Sequence, residues 1–68
     1  MNIQEKLAQE FHIKTVQAEN TVALIDEGNT IPFIARYRKE ATGGLSDVTL
    51  RGIEERLNYL RSLEERKE

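Results

Sequence analysis

The sequence predicts an all-α protein of about four helices and no sheet. Apolar residues recur every three or four positions over most of the 68-residue chain, which is helical spacing and not strand spacing. The single proline and three of the four glycines stand where helices would begin or end. A domain of this length buries only about 60% of the surface that its unfolded chain exposes, and the chain has no cysteine for a disulfide. We therefore expect one small helical domain with a modest core.

The first two helices are predicted at about 2–11 and 15–27. Each carries an apolar stripe at helical spacing. Thr15 is the expected N-cap of the second helix, because its hydroxyl can accept a bond from a backbone N–H of the first turn. Gly28 is placed to end that helix.

A third helix is predicted at about 31–41. Thr30 can cap it, and Pro32 falls in its first turn, where the missing N–H costs nothing because that donor would have no helical partner. Gly43 and Gly44 then supply the left-handed backbone conformation that commonly ends a helix.

The fourth helix is the longest, predicted at about 47–66 with Ser46 as its N-cap. Its apolar residues repeat at alternating spacings of three and four, the pattern of a helix that lies along a partner helix. This predicted inter-helix or inter-domain seam consists of Leu50, Ile53, Leu57, Leu60 and Leu63. Glu64 occupies the next position of the repeat while Tyr59 and Leu63 remain apolar, so the contact face rotates toward the end of the helix. We therefore expect the partner of the seam to lie outside this chain. An exposed seam would also allow the isolated chain to self-associate.

The ending RSLEERKE contains no glycine, proline or other helix stop signal. One interpretation is that the helix is truncated where this sequence ends. The other is that residues at its end form a frayed, solvated C-terminal turn. The first interpretation makes residues 1–68 a single helical domain or fragment of a larger multidomain protein.

Charge is distributed unevenly along the chain. The net charge is −2, which argues against a domain that holds nucleic acid by charge alone. Residues 30–45, however, contain three basic residues and one acid, a local charge of +2. This segment includes the run IPFIARYRKEATGGL and is the only locally positive part of the chain.

Arg38 falls on the apolar face of the predicted third helix, beside Ile31 and Ile34, when successive residues are placed about 100° apart. A guanidinium there must either extend to solvent or meet a carboxylate, because an unpaired buried charge is costly. We expect a partly buried structural ion pair. The candidate acids for it are Asp26, Glu27, Asp47 and Glu54.

Arg36 and Lys39 fall on the opposite face of the same helix, and two interpretations of them stay open. They form an ordinary solvated face, or they contact nucleic-acid phosphates with Arg51 as a further contact. Phe33 and Tyr37 fall in the apolar arc, which predicts that they are core residues rather than base-stacking residues.

Catalytic, metal and cofactor sites are not predicted. His12 is the only histidine and cysteine is absent, so neither a metal site nor a nucleophile and base pair can be assembled from recognisable parts. Long apolar runs and a signal-peptide pattern are also lacking, which predicts a soluble, unexported protein with no membrane contact. We expect no enzyme activity and no cofactor.

Residues 26–68, DEGNTIPFIARYRKEATGGLSDVTLRGIEERLNYLRSLEERKE, closely resemble the N-terminal region of the Tex family of bacterial transcription accessory proteins. The long run EGNTIPFIARYRKEATGGL carries most of the resemblance. Residues 1–25 resemble the less distinctive helical start of the same family. The resemblance therefore covers the whole chain.

The resemblance implies a large cytoplasmic protein of which this chain is the leading, N-terminal piece. Tex-like proteins continue with a ribonuclease-H-like domain that is generally thought inactive, helix-hairpin-helix elements and an RNA-binding OB-fold domain. The implied partners are the later domains of the same parent chain, RNA or DNA bound by the parent protein, and the transcription machinery. The resemblance also implies a helix-turn-helix-like start, and the implied function is a helical scaffold and interaction module. The alternative is a small helix-turn-helix-like domain that itself contacts phosphates through Arg36 and Lys39.

Overall fold

The computed structural model describes residues 2–65. It contains the helices α1 (Ile3–Phe11), α2 (Thr15–Asp26), α3 (Ile31–Tyr37), α4 (Lys39–Thr42) and α5 (Asp47–Glu65). Over this range the structure has no strand. The predicted all-α class is therefore confirmed, with one more helix, the single-turn α4, than the sequence predicted.

The first two helices begin and end through local side-chain and backbone chemistry. Helix α1 begins where the side chain of Asn2 accepts a hydrogen bond of 3.1 Å from a backbone N–H of the first turn. It ends at His12, whose left-handed conformation (φ 57°) redirects the chain toward α2. Lys14, and not Thr15 as predicted, is the N-cap of α2. The backbone N–H of Lys14 donates a hydrogen bond of 2.9 Å to Gln17 Oε1. A side chain in the first turn of the helix therefore provides the acceptor for the backbone N–H of the N-cap residue.

The predicted continuous third helix is instead two helices. Thr30 Oγ1 accepts a hydrogen bond of 3.3 Å at the start of α3, and Pro32 lies in its first turn, as predicted. Helix α3 then stops at Tyr37, because the backbone of Arg38 leaves the helical region (φ −126°, ψ 36°). Helix α4 restarts at Lys39.

Two glycines make the turn between α4 and α5. Gly43 (φ 74°) and Gly44 (φ 84°) both adopt the left-handed conformation. The N–H of Gly44 donates a hydrogen bond of 2.9 Å to the carbonyl oxygen of Lys39, which closes the end of α4. Ser46 Oγ then accepts from the N–H of Thr49 at 3.3 Å and begins α5, as predicted.

Helix α5 is the axis of the fold, since α1, α2 and α3 all contact it. One buried group joins α1 and α2 to α5 and consists of Leu7, Ala8, Ala18, Val22, Ile53, Leu57 and Leu60. A second buried group joins α2 and α3 to α5 and consists of Leu24, Ile31, Ile34 and Leu50. Burial of apolar area along α5 therefore holds the three preceding helices in place.

The seam predicted on α5 is largely occupied within the chain. Leu50, Ile53 and Leu57 are fully buried and Leu60 is 1% exposed, whereas Leu63 is 45% exposed. The prediction that the seam partner lies outside the chain is wrong for the first four residues, because α1, α2 and α3 fold back and cover them. Only the last residue of the predicted seam remains available for an external contact.

Candidate functional site

The backbone leaves helical geometry at Arg38, between α3 and α4, and this affects the exposure of the basic residues around it. The N–H of Arg38 still donates to the carbonyl of Ile34 at 3.0 Å, and its own carbonyl accepts from the N–H of Thr42 at 3.3 Å. Its φ and ψ angles are nevertheless not helical, so a helical wheel drawn from α3 does not apply from this residue onward. Arg36, Arg38 and Lys39 are all exposed.

The predicted ion pair of Arg38 requires correction. The apolar position that the wheel assigned to Arg38 needs a continuous helix, which the chain does not form. The exposed Arg38 makes no ion pair with any residue that the structure describes, and Asp26 binds Arg61 instead. The remaining candidate acids, which also make no ion pair in the described range, are Glu27, Asp47 and Glu54.

Phe33 and Tyr37 lie outside the core, contrary to the prediction. Ile31 and Ile34 fill the core beneath α3, which leaves Phe33 38% and Tyr37 61% exposed. The ring centroids of the two aromatic residues are 5.1 Å apart and their planes are tilted by 46°, within the range that aromatic pairs favour. The guanidinium carbon of Arg36 lies 5.9 Å from the centroid of the Tyr37 ring, which is cation–π distance. The two rings and the guanidinium therefore form one exposed group.

We give the name aromatic–basic cluster to this group together with the two basic residues that follow it in the sequence. Its members are Phe33, Arg36, Tyr37, Arg38 and Lys39, all exposed. None of its three cations forms an ion pair within the described part of the chain. Arg51, the other predicted phosphate contact, is exposed on α5 and shares a surface depression with the acids Asp47 and Glu55. The cluster is therefore more strongly positive than the surroundings of Arg51.

Two amide side chains of α2 hold the end of α4, and sequence reasoning missed both. Gln17 Nε2 donates a hydrogen bond of 2.8 Å to the carbonyl of Thr42, and Asn20 Nδ2 donates one of 2.9 Å to the carbonyl of Ala41. These carbonyls lie in the last turn of α4, where no helical N–H follows to bind them. We name Gln17 and Asn20 the amide clamp. Their spacing of three on one helix face was the only signal for it in the sequence.

Two bidentate ion pairs tie the first two helices to α5. Arg56 donates from Nε and Nη2 to the Glu10 carboxylate at 2.8 and 3.0 Å. Arg61 donates from Nη1 and Nη2 to the Asp26 carboxylate, each at 2.8 Å. The hydrogen bond from Arg56 holds the pKa of Glu10 below its ordinary value of 4.5. The hydrogen bond from Arg61 likewise holds the pKa of Asp26 below its ordinary value of 3.8. Both carboxylates are therefore stabilised in their charged form.

The C-terminal half of α5 displays a second pair of exposed apolar side chains. Tyr59 is 51% and Leu63 is 45% exposed, and they lie one helical turn apart. The guanidinium carbon of Arg56 lies 4.8 Å from the Tyr59 ring centroid. Because Arg56 is already bound to Glu10, its charge is partly neutralised, unlike that of Arg36.

The described residues contain neither a metal-binding group nor a membrane-spanning helix. Among residues 2–65 there is no group of three or more histidine, cysteine, aspartate or glutamate side chains that could hold a metal ion. His12 is exposed at the end of α1. None of the described helices is both long and apolar enough to cross a membrane.

Several known proteins are similar to this chain in sequence. The family model described as the Tex-like protein N-terminal domain matches residues 1–68. The transcriptional accessory protein Tex of Neisseria gonorrhoeae is 61% identical over 67 residues, which are 98% of this chain and 9% of that protein. Protein tex of Bordetella pertussis is 58% identical over 56 residues, which are 82% of this chain and 7% of that protein.

A human protein is a more distant relative. The S1 RNA-binding domain-containing protein 1 of Homo sapiens is 37% identical over 57 residues, which are 84% of this chain and 6% of that protein. The chain thus spans less than a tenth of the length of each of these relatives. Because the family model covers every residue of the chain, the resemblance found in the sequence is confirmed, and the chain belongs to the Tex family, whose N-terminal domain it matches.

Proposed function

We propose that the chain is the N-terminal helical scaffold and interaction module of a Tex-like transcription accessory, RNA-binding protein. Helix α5 carries this proposal. Its apolar face from Leu50 to Leu60 is buried by the three preceding helices, whereas Tyr59 and Leu63 toward its end remain exposed. A helix that organises one core and displays apolar side chains beyond it is suited to connect a domain to its neighbours. The names of the relatives, which refer to transcription accessory function and RNA binding, support the wider setting.

The proposed partner of Tyr59 and Leu63 is a later segment of the same parent chain. The matching region accounts for 9% of the gonococcal relative, so a parent protein of similar length would contain many further segments. The two side chains are neighbours at a spacing of four on α5, which suits contact with an apolar stripe of another helix. The proposal treats residues 1–68 as one domain of a cytoplasmic protein, without a catalytic role of its own.

A two-piece binding experiment tests this proposal. The 68-residue chain is mixed with the gonococcal relative from which the matching 67 residues have been removed, and complex formation is followed by sedimentation velocity. Both pieces are first checked for folding by circular dichroism. We expect a complex that the double variant Tyr59→Ser, Leu63→Ser weakens. The matched control is Val16→Ser, because Val16 is an apolar side chain that is 54% exposed on α2. We expect this substitution to leave complex formation unchanged.

Two results would contradict the scaffold proposal. One is a complex that the Tyr59 and Leu63 variant and the Val16 variant weaken equally. The other is a chain that forms a homodimer through Tyr59 and Leu63 and binds no other part of the relative. The second result would assign the exposed pair on α5 to self-association.

Direct contact with nucleic acid is a second candidate function, favoured by the aromatic–basic cluster. Arg36 and Lys39 are exposed and unpaired among the described residues, as phosphate-binding side chains must be before binding. Affinity for phosphates falls steeply with salt. We expect the double variant Arg36→Ala, Lys39→Ala to lose salt-dependent binding in a fluorescence-anisotropy titration at unchanged melting temperature. Arg51→Ala should cost less, because Asp47 and Glu55 lie beside it.

A further inference from the structure

We propose that the aromatic–basic cluster binds single-stranded nucleic acid, with a base stacked on Tyr37 and the neighbouring phosphates held by Arg36 and Lys39. The inference rests on the second candidate function and adds to it the class of ligand and the residue that selects it. It depends on the exposure of the aromatic rings, which the helical wheel had placed in the core.

The geometry of the two rings suits stacking. Tyr37 is 61% exposed, so most of its surface is open to a ligand. Phe33 lies against it at a centroid distance of 5.1 Å, which limits the motion of the Tyr37 ring before a base arrives. An exposed ring of this kind stacks with an unpaired base, whereas the bases of a duplex are already stacked on one another. The cluster should therefore prefer single strands to duplexes.

Charge complementarity identifies the occupant as an anion-bearing chain. Three cations, Arg36, Arg38 and Lys39, stand within four consecutive positions of the sequence, and the Arg36 guanidinium carbon lies 5.9 Å from the Tyr37 ring centroid. They make no ion pairs within residues 2–64, so their charge is available to phosphates. Alternation of aromatic rings and cations is typical of surfaces that bind single strands without reading their sequence.

Tyr59 provides an internal comparison. It is also about half exposed, at 51%, and also lies beneath a guanidinium, at 4.8 Å. That guanidinium belongs to Arg56, which is held by Glu10 in a bidentate pair. Tyr59 therefore resembles Tyr37 in exposure but lacks available positive charge beside it, which makes it the matched control.

Substitutions in the cluster should leave the fold intact. The core beneath α3 is formed by Ile31 and Ile34, not by the exposed aromatic residues. Helix α4, which begins at Lys39, is held from α2 by the amide clamp of Gln17 and Asn20. Replacement of Tyr37 removes neither set of contacts.

The experiment is a fluorescence-anisotropy titration of the chain with labelled RNA and DNA single strands of about 12 nucleotides and with a DNA duplex of the same length, at low salt. We expect each single strand to bind at least about fivefold more tightly than the duplex. Tyr37→Leu, which keeps an apolar side chain but removes the ring, should weaken single-strand binding by about fivefold or more. Tyr37→Phe and Tyr59→Leu should bind as the unsubstituted chain does.

The outcomes separate this inference from the function on which it rests. Equal or tighter binding of the duplex would overturn the inference, as would equal single-strand binding by Tyr37→Leu. Either result leaves phosphate contact intact if the Arg36 and Lys39 double variant still loses binding. No binding of any nucleic acid at low salt would overturn both ideas and leave the cluster to a protein partner. The comparison of single strand with duplex uses the unsubstituted chain, so it stands even if a variant fails to fold.

Discussion

Gln17 Nε2 donates a hydrogen bond of 2.8 Å to the carbonyl oxygen of Thr42, across 25 positions of the sequence. Oε1 of the same amide accepts from the N–H of Lys14 at 2.9 Å. One side chain therefore satisfies backbone groups at the start of α2 and at the end of α4. Gly43 lies directly against this amide, and a β-carbon there would overlap it. The turn after α4 is thus shaped by α2 as well as by its own residues.

Loss of the Gln17 amide should lower stability. Gln17→Ala leaves a part-buried carbonyl at Thr42 and the N–H of Lys14 without their partners. We expect a loss of about 1 kcal/mol in the free energy of unfolding, or a melting temperature lower by roughly 4–8 °C for a domain of this size. Gln9→Ala on the exposed side of α1 is the control and should change little. Equal melting temperatures for the two variants in circular dichroism would contradict this role of Gln17.

Two adjacent glycines should differ in their tolerance of a methyl group. Gly43 and Gly44 both have positive φ angles, of 74° and 84°, and alanine there costs on the order of 1 kcal/mol. A β-carbon at Gly43 would also overlap the Gln17 amide, whereas one at Gly44 has nothing within 4 Å. We therefore expect Gly43→Ala to be more destabilising than Gly44→Ala in a urea titration.

A double variant checks the cause of this difference. If the overlap with Gln17 is responsible, Gly43→Ala should cost less in a chain that already carries Gln17→Ala, because the opposing amide is gone. Strictly additive costs would assign the sensitivity of Gly43 to backbone strain instead.

Asp26 should contribute stability at neutral pH that disappears in acid. Arg61 holds the pKa of Asp26 below 3.8, so the folded state favours the charged carboxylate. The contribution is complete above the pKa of the unfolded chain and is lost as the pH falls through the lower pKa of the folded state. Because the pair is nearly half exposed, we expect about 1 kcal/mol or less.

The test is a comparison of melting temperatures for the unsubstituted chain and Asp26→Asn at neutral pH and at about pH 2. We expect Asp26→Asn to melt at a lower temperature than the unsubstituted chain at neutral pH and at the same temperature in acid. Glu19→Gln, at an exposed position on α2, should match the unsubstituted chain at both pH values. A difference for Asp26→Asn that persists unchanged in acid would rule out the ion pair as its source.

The two ends of the predicted seam should respond differently to truncation. Leu57 is fully buried against α1 and α2, whereas Leu63 is 45% exposed. Leu57→Ala should lower the free energy of unfolding by about 2–5 kcal/mol through lost burial and the cavity left behind. Leu63→Ala should change it by about 0.5 kcal/mol or less. A urea titration measures both, and similar losses would place Leu63 in the core.

Features that depend on residues close together in the chain could be predicted from the sequence alone. Thr30, Ser46 and the Gly43–Gly44 pair act where they were predicted to act, because a cap joins groups only three to five positions apart. The spacing of apolar residues predicted the all-α class for the same reason. The run around IPFIARYRKEATGGL identified the family.

Which helix faces are covered depends on how the helices pack, and this could not be predicted from the sequence. The wheel assumed one helix through Arg38, and the break there invalidated the predicted burial of its guanidinium. Whether Phe33 and Tyr37 are buried depends on how α3 lies on α5, and Ile31 and Ile34 occupy the contact.

The amide clamp and the two ion pairs join groups that are 21 to 46 positions apart. The composition of each helix permits many such partners, and only the packing of α1, α2 and α3 on α5 selects among them. Helix caps and turns could therefore be predicted from the sequence, whereas the exposure of the aromatic–basic cluster depends on helix packing.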